Sequence, residues 1–233
     1  MDHEDVIKSL AEVANKKKAE ILARFFKTGK GEYGFGDVFI GVVVPEQRTV
    51  AKKFEILQLS EIQKLIKSKI HEHRLTALLI LVKQFEKGDD QKRTKIYNFY
   101  LKNTKYINNW DLVDLSAPNI IGKYLYDKPR SVLYDLVKSK SVWDRRISII
   151  STFYFIKNKD FKDTLKISEL LLSDKEPLIH KAVGWMLREV GKKKEDILVG
   201  FLNKYTSQMS RTSLRYSIER FEEKKRQKFL NKI

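Results

Sequence analysis

Residues 108–114 read Asn-Asn-Trp-Asp-Leu-Val-Asp, and here two kinds of side chain able to stabilise a cation stand close together. Asn108 or Asn109 is placed to cap a helix, which sets Trp110 and Asp114 at i and i+4 on one face. A carboxylate attracts a developing positive charge directly, and an indole attracts it through its electron-rich face. Asp111 falls in the first turn of the same helix, where complementing the helix dipole accounts for it. Two later segments add to the set. Trp143-Asp144-Arg145-Arg146 places two arginines ahead of an apolar helix, and Lys181 through Arg188 place Trp185 and Arg188 at i and i+3. Guanidinium groups grip phosphate oxygens in pairs, and tryptophan faces stack on bases. Trp110, Asp114, Arg146 and Trp185 are therefore the candidate site, with Arg145, Lys181 and Arg188 as candidate contacts to a phosphate backbone.

Other chemistries find little support. The chain has no cysteine, so it offers no thiol nucleophile, disulfide or cysteine zinc ligand. Its four histidines are His3, His71, His73 and His180. His71 and His73 are two apart and do not share a helix face, and no His-Glu-x-x-His occurs, so no metal site is expected. Neither a P-loop nor a Gly-x-Ser-x-Gly elbow is present. Gly29 to Gly34 match Gly-x-Gly-x-x-Gly, but they follow a predicted helix and precede a β-like run, the reverse of the dinucleotide-binding order. No cofactor is expected. Half of the ten glycines lie in the loop 29–41, which reads either as a loop that lets a ligand approach closely or as a plain turn region.

These residues must be positioned mostly by helices. Leu75, Leu78, Leu79, Val82 and Phe85 follow the helical period, as do Val183, Met186, Leu187 and Val190. The exception is Val38–Val44, which reads as an extended segment closed by Pro45, with a hairpin or a short helix as alternatives. Expected caps are Ser60 with Gln63, Asp89–Asp90, Asn108–Asn109, Asp127, Ser141 and Asp174 with Pro177, while Gly88 and Gly191 are expected helix stops. Segments with a polar start and an apolar helix begin at Arg74, Trp110, Arg146, Lys181 and, more weakly, Arg211. Their spacings of 36, 36, 35 and 30 residues suit two-helix repeats, with unrelated helical hairpins as the alternative. The expectation is an all-α chain, a bundle or a solenoid, forming one domain over residues 1–233.

The 233 residues carry a net charge of +17, which fits a phosphate-rich partner. No apolar run approaches a membrane span and the N-terminus lacks an apolar signal core, so a soluble, cytoplasmic protein is expected. It is expected to be a monomer.

At the candidate site residues the sequence becomes familiar. HKAVGWMLREVGK resembles the Lys-Ala-Ile-Gly-Trp-Leu-Arg-Glu segment of the DNA alkylation repair family, the AlkD-like alkylpurine DNA glycosylases. NNWDLVDLSAP is similar to that family's Trp-Asp-x-Val-Asp segment, SVWDRRISII to its Trp-x-x-Arg segment, and FIGVVVPEQR to its N-terminal Gly-Val-x-x-Pro segment. Order and spacing agree from about residue 20 to about residue 215. The resemblance implies one domain of HEAT-like repeats, a superhelix with double-stranded DNA in a concave basic groove. It implies excision of cationic 3- or 7-alkylpurines, with Trp110, Asp114, Arg146 and Trp185 at the family's site positions and Arg188 at a DNA-contacting one. In a bacterium it also implies association with the nucleoid. Departures are His180, where relatives carry Gln or Arg, Leu178, where many carry Phe, and a longer Gly29–Gly36 loop. Two other readings stay open: a non-catalytic protein of this fold that binds branched or damaged DNA, and a helical scaffold for an acidic protein partner.

Overall fold

A computed structural model of the chain describes residues 1–231. The described residues are helical, with no strand beyond a single parallel bridge between Val38 and Ile70. Contacts group the chain into two compact units, one from Met1 to Ser116 and one from Ala117 onward.

The first unit contains α1 (His3–Ala11), α2 (Lys16–Phe25), α3 (Val44–Lys53), α4 (Leu59–Ile66), α5 (His71–Lys87), α6 (Asp90–Lys102) and α7 (Trp110–Ala117). α5 is its core. Nearly every residue from His71 to Phe85 is buried, because α3, α4 and α6 all pack on it. The segment before α3 is non-helical and bridges to Ile70 through Val38, but Gly41 breaks it with a φ of +83° and Val44 already belongs to the helix. Pro45, however, opens a helix rather than closing a strand: it lies in the first turn of α3, where its missing N–H costs nothing. Glu46 then accepts from the Val43 N–H at 3.0 Å.

The second unit contains α8 (Lys123–Leu125), α9 (Ser131–Leu136), α10 (Val142–Ser151), α11 (Phe153–Lys157), α12 (Lys162–Leu170), α13 (Pro177–Lys193), α14 (Glu195–Tyr205), α15 (Arg211–Ser217) and α16 (Glu223–Leu230). α10, α13 and α15 pack in succession, and α13 and α15 make the most intimate contact. Gly184 permits it, since a Cβ there would stand 2.5 Å from Tyr216 Cβ and 2.6 Å from the Ser213 carbonyl oxygen.

Asp89 and Ser141 cap their helices as expected, accepting from the backbone of Lys92 and Asp144, and Gly88 ends α5. Four expectations are corrected. Asp174 does not cap α13, whose N-cap is Glu176; its carboxylate accepts the Glu176 N–H outside the helix. Ser60 is not a cap, because α4 has already begun at Leu59. Asp127 is not one either, because α9 starts after Arg130. Gly191 does not stop α13, which continues to Lys193; there the missing Cβ makes room for the Leu198 side chain, 2.5 Å away.

The repeat is visible in local geometry, one residue away from the expected register. Arg74 Nη1 reaches back to the carbonyls of Ser68 and Lys69, and Arg145 Nη1 to those of Ser139 and Lys140. His180 Nε2 donates to the Asp174 carbonyl, again six residues back. Ser68, Ser139 and Asp174 each accept, through the side chain, the N–H two residues on. Arg74 therefore corresponds to Arg145 and His180, and not to Arg146.

Candidate active site

The site is built outward from the start of α7. Asn109 is fully buried; its Oδ1 accepts the Trp110 N–H at 2.8 Å and its Nδ2 donates to Asp37 Oδ2 at 3.3 Å. Asp111 is also buried. Its Oδ1 takes the Leu112 N–H at 2.9 Å, and its Oδ2 takes Nε2 of His71 at 2.8 Å. Dipole complementation is thus the lesser part of what Asp111 does, and its main partner is a buried ring. His71 Nδ1 lies 3.0 Å from Asp37 Oδ2, and Arg74 Nη2 donates to Asp37 Oδ1 at 2.7 Å.

Each nitrogen of His71 faces a carboxylate, so both must carry hydrogen and the ring is an imidazolium. Burial alone would push its pKa down. Asp111 and then Asp37 outweigh burial and hold it above the ordinary histidine value. Burial likewise works against the charged form of Asp37, but His71 and Arg74 overcome it and keep that carboxyl below its usual range. Two anions and two cations close into a neutral cluster with 1% of His71 exposed, the paired state in which buried charge is tolerated.

An aromatic pile connects this cluster to Trp110. Phe39 stacks on the His71 ring with centroids 4.5 Å apart, Phe26 stacks on Phe39 at 5.0 Å, and Trp110 stacks on Phe26 at 5.1 Å. Phe25 meets the indole edge-on at 5.9 Å, and the indole N–H donates to Tyr33 Oη at 3.3 Å. Trp110 is thereby fixed yet only half-buried. Asp114, one turn further along α7, is also half-buried. Glu72 holds the strip beneath, accepting the N–H groups of Ile40, Gly41 and Val42. Gly41 fits there because its φ is +83° and a Cβ would lie 2.0 Å from the Asn15 carbonyl oxygen.

The remaining candidates belong to the second unit. Arg146 is buried on α10, and its Nη1 donates to the Leu178 carbonyl at 2.6 Å, in the first turn of α13. Arg145 is committed to Asp174 through Nε at 2.6 Å and Nη2 at 3.3 Å, and to two carbonyls through Nη1. It braces the approach to α13. Trp185 is half-buried against Phe153, with centroids 5.8 Å apart. Arg188 pairs with Glu219 on one side and Glu189, at 3.7 Å, on the other. Lys181 is exposed on α13.

Trp110 and Asp114 are thus brought together on one helix, Arg145 and Arg146 on a second, and Lys181, Trp185 and Arg188 on a third. The supports of Trp110, namely Asp37, His71, Arg74, Phe26 and Phe39, were not legible as site residues. The signal was there in part: His-Glu-His-Arg at 71–74 is an unusually polar opening for so apolar a helix.

Fold and site together define an all-helical, strongly basic protein with a rigidly held indole and a carboxylate one turn away. The chain matches the model of the DNA alkylation repair enzyme family over residues 6–221, and it belongs to that family. Membership gives it a role in the repair of alkylated DNA, as an enzyme. Among solved structures, one described as a predicted DNA alkylation repair enzyme from Enterococcus faecalis shares the fold. Its TM-score is 0.70 at 16% identity, covering 90% of this chain and 97% of that one. A search of curated protein sequences finds no match.

Proposed function

We propose that the protein is a DNA glycosylase that releases cationic N3- and N7-alkylpurines from duplex DNA by hydrolysing the N-glycosidic bond. The observation that carries this reading is the pairing on α7 of a half-exposed, immobilised Trp110 with Asp114 one turn on. Alkylation at N3 or N7 makes the purine a cation, so it departs neutral and needs no general acid. The sugar left behind becomes oxocarbenium-like, and the ionised Asp114 stabilises that charge and orients the attacking water. Trp110 and Trp185 offer electron-rich faces to the cationic nucleotide and its backbone. Arg146 holds a phosphate beside the lesion, with Lys181 and Arg188 contributing along the backbone. Arg145, held by Asp174 and two carbonyls, stands next to Arg146 on α10 and adds its positive charge on the same side of the site.

Asp114→Asn tests the assignment. It keeps the shape and removes the charge, so it acts on the transition state more than on ground-state binding. Single-turnover release of 7-methylguanine is expected to fall roughly 10- to 1000-fold, about 1.4–4 kcal/mol, while DNA affinity holds or rises slightly. Unchanged release would remove Asp114 from the chemistry. Tight binding to branched DNA by a wild-type protein that releases no base would replace the glycosylase reading.

A further inference from the structure

The loop that supports Trp110 also holds a phenylalanine out into solvent. Phe35 is 64% exposed, yet its loop is tied down on both sides. The Gly34 N–H donates to the Lys27 carbonyl at 3.1 Å, and Gly34 lies so close to the preceding helix end that a Cβ would stand 2.3 Å from the Phe26 carbonyl oxygen. The Asp37 N–H bonds to the Gly34 carbonyl at 3.1 Å, and the Asp37 side chain is locked to His71 and Arg74. Gly36 makes the turn between them with φ +91°. Tyr33, two residues before Phe35, receives the Trp110 indole N–H. The ring is therefore presented by a rigid mount that is continuous with the candidate site. Exposing a large apolar side chain in this way gives the fold nothing.

Behind Phe35 lies an open pocket of about 190 Å³, rimmed by Lys69, Lys105, Tyr106 and Asn108. That volume is below the ~300–1,000 Å³ of pockets that enclose whole small-molecule ligands, and it suits one flat group. Both lysines are exposed, and neither has an ion-pair partner among the described residues. Lys105 Nζ stands 4.9 Å from the centroid of the Tyr106 ring. The carboxylate in the pocket, Asp37, is already neutralised by Arg74 and His71. An aromatic face beside uncompensated cations is the combination that single-stranded nucleic acid requires, a stacking surface for the base and positive charge for its phosphates.

We propose that Phe35 with Lys69 and Lys105 forms a subsite for one nucleotide displaced from the DNA stack: the base lies against Phe35 and the flanking phosphates rest on the lysines. The proposal rests on the DNA-repair reading. Its role there is mechanical, because an apolar wedge opens a base step and stabilises DNA distorted at the lesion.

The test uses a duplex with an abasic-site analogue and 2-aminopurine as its neighbour, whose fluorescence rises when it leaves the stack. This duplex has no base to excise, so the outcome is independent of glycosylase activity. The wild-type protein is expected to raise the fluorescence on binding. Phe35→Ala is expected to abolish most of that rise and to weaken binding roughly 5-fold or more, whereas Phe35→Tyr retains both. Lys69→Gln and Lys105→Gln are each expected to lower the salt slope of binding by about 1. Exposure of Phe35 predicts an unchanged melting temperature for the alanine variant, which separates loss of contact from loss of fold. Binding without a fluorescence rise, or a Phe35→Ala variant that behaves as wild type, would overturn the subsite and leave DNA binding standing. Absence of binding by the wild type would overturn both.

Discussion

His71 and His73 sit two residues apart at the start of α5 and respond to protons in opposite senses. His71 is an imidazolium whose pKa Asp111 and Asp37 raise above the ordinary 6.5. Unfolded chains lose this proton near 6.5 while the folded protein keeps it, so stability falls as pH rises from 6.5 through the raised value. His73 is pushed the other way, to about 4, by burial and then by the Arg74 charge. Between 6.5 and about 4 the unfolded chain takes up a proton that folded His73 refuses, so stability falls as pH falls. The contribution of this pair to stability is therefore greatest near pH 6.5. His71→Gln should flatten the alkaline limb and His73→Gln the acid limb, as measured by thermal melts across pH 4–9. An alkaline limb that survives His71→Gln would remove the imidazolium from the account. The sequence gives the identity and spacing of both histidines, and that spacing correctly denies them a shared helix face. It could not show that the two partners of His71 lie 34 residues upstream and 40 downstream, since Asp37 and Asp111 meet the ring only through the tertiary fold.

At the scale of elements, the helices were legible where apolar period and punctuation agreed, as in α5, whose buried run ends at Gly88. They were misread where one residue type serves two purposes. Gly191 lies within α13, not at its end, because a missing Cβ is as useful for packing as for stopping a helix, a use that Gly184 in the same helix shows as well. Pro45 reads as the end of a strand and stands in the first turn of a helix. The repeat was visible as an apolar rhythm, but apolar residues fix a register only to within a residue or so. The polar back-bonds from Arg74, Arg145 and His180 settle it. Gly184→Ala tests the packing claim: with Tyr216 and Ser213 in the way, α13 and α15 must separate, at a cost of about 1–3 kcal/mol. In a chain of this size that lowers the melting temperature by roughly 2–4 °C per kcal/mol. A variant as stable as wild type would mean that the two helices are less closely seated than described.

For the whole molecule, the net charge of +17 sets the character of its encounter with DNA. Each phosphate neutralised releases counterions, so log K for duplex DNA should fall by about 0.9 per contact for each decade of salt. A titration between low and physiological salt should show a steep slope and little dependence on base sequence; a flat response would argue against contact with the phosphate backbone. Glu72 has a consequence of another kind. The three N–H groups it accepts, from Ile40, Gly41 and Val42, belong to a strip made some thirty residues earlier, and Val38 is paired to Lys69 and His71 beside it. As the chain emerges during synthesis, that strip has no acceptor until α5 follows it out. The native fastening of residues 38–42 is therefore closed by residues made about thirty positions later.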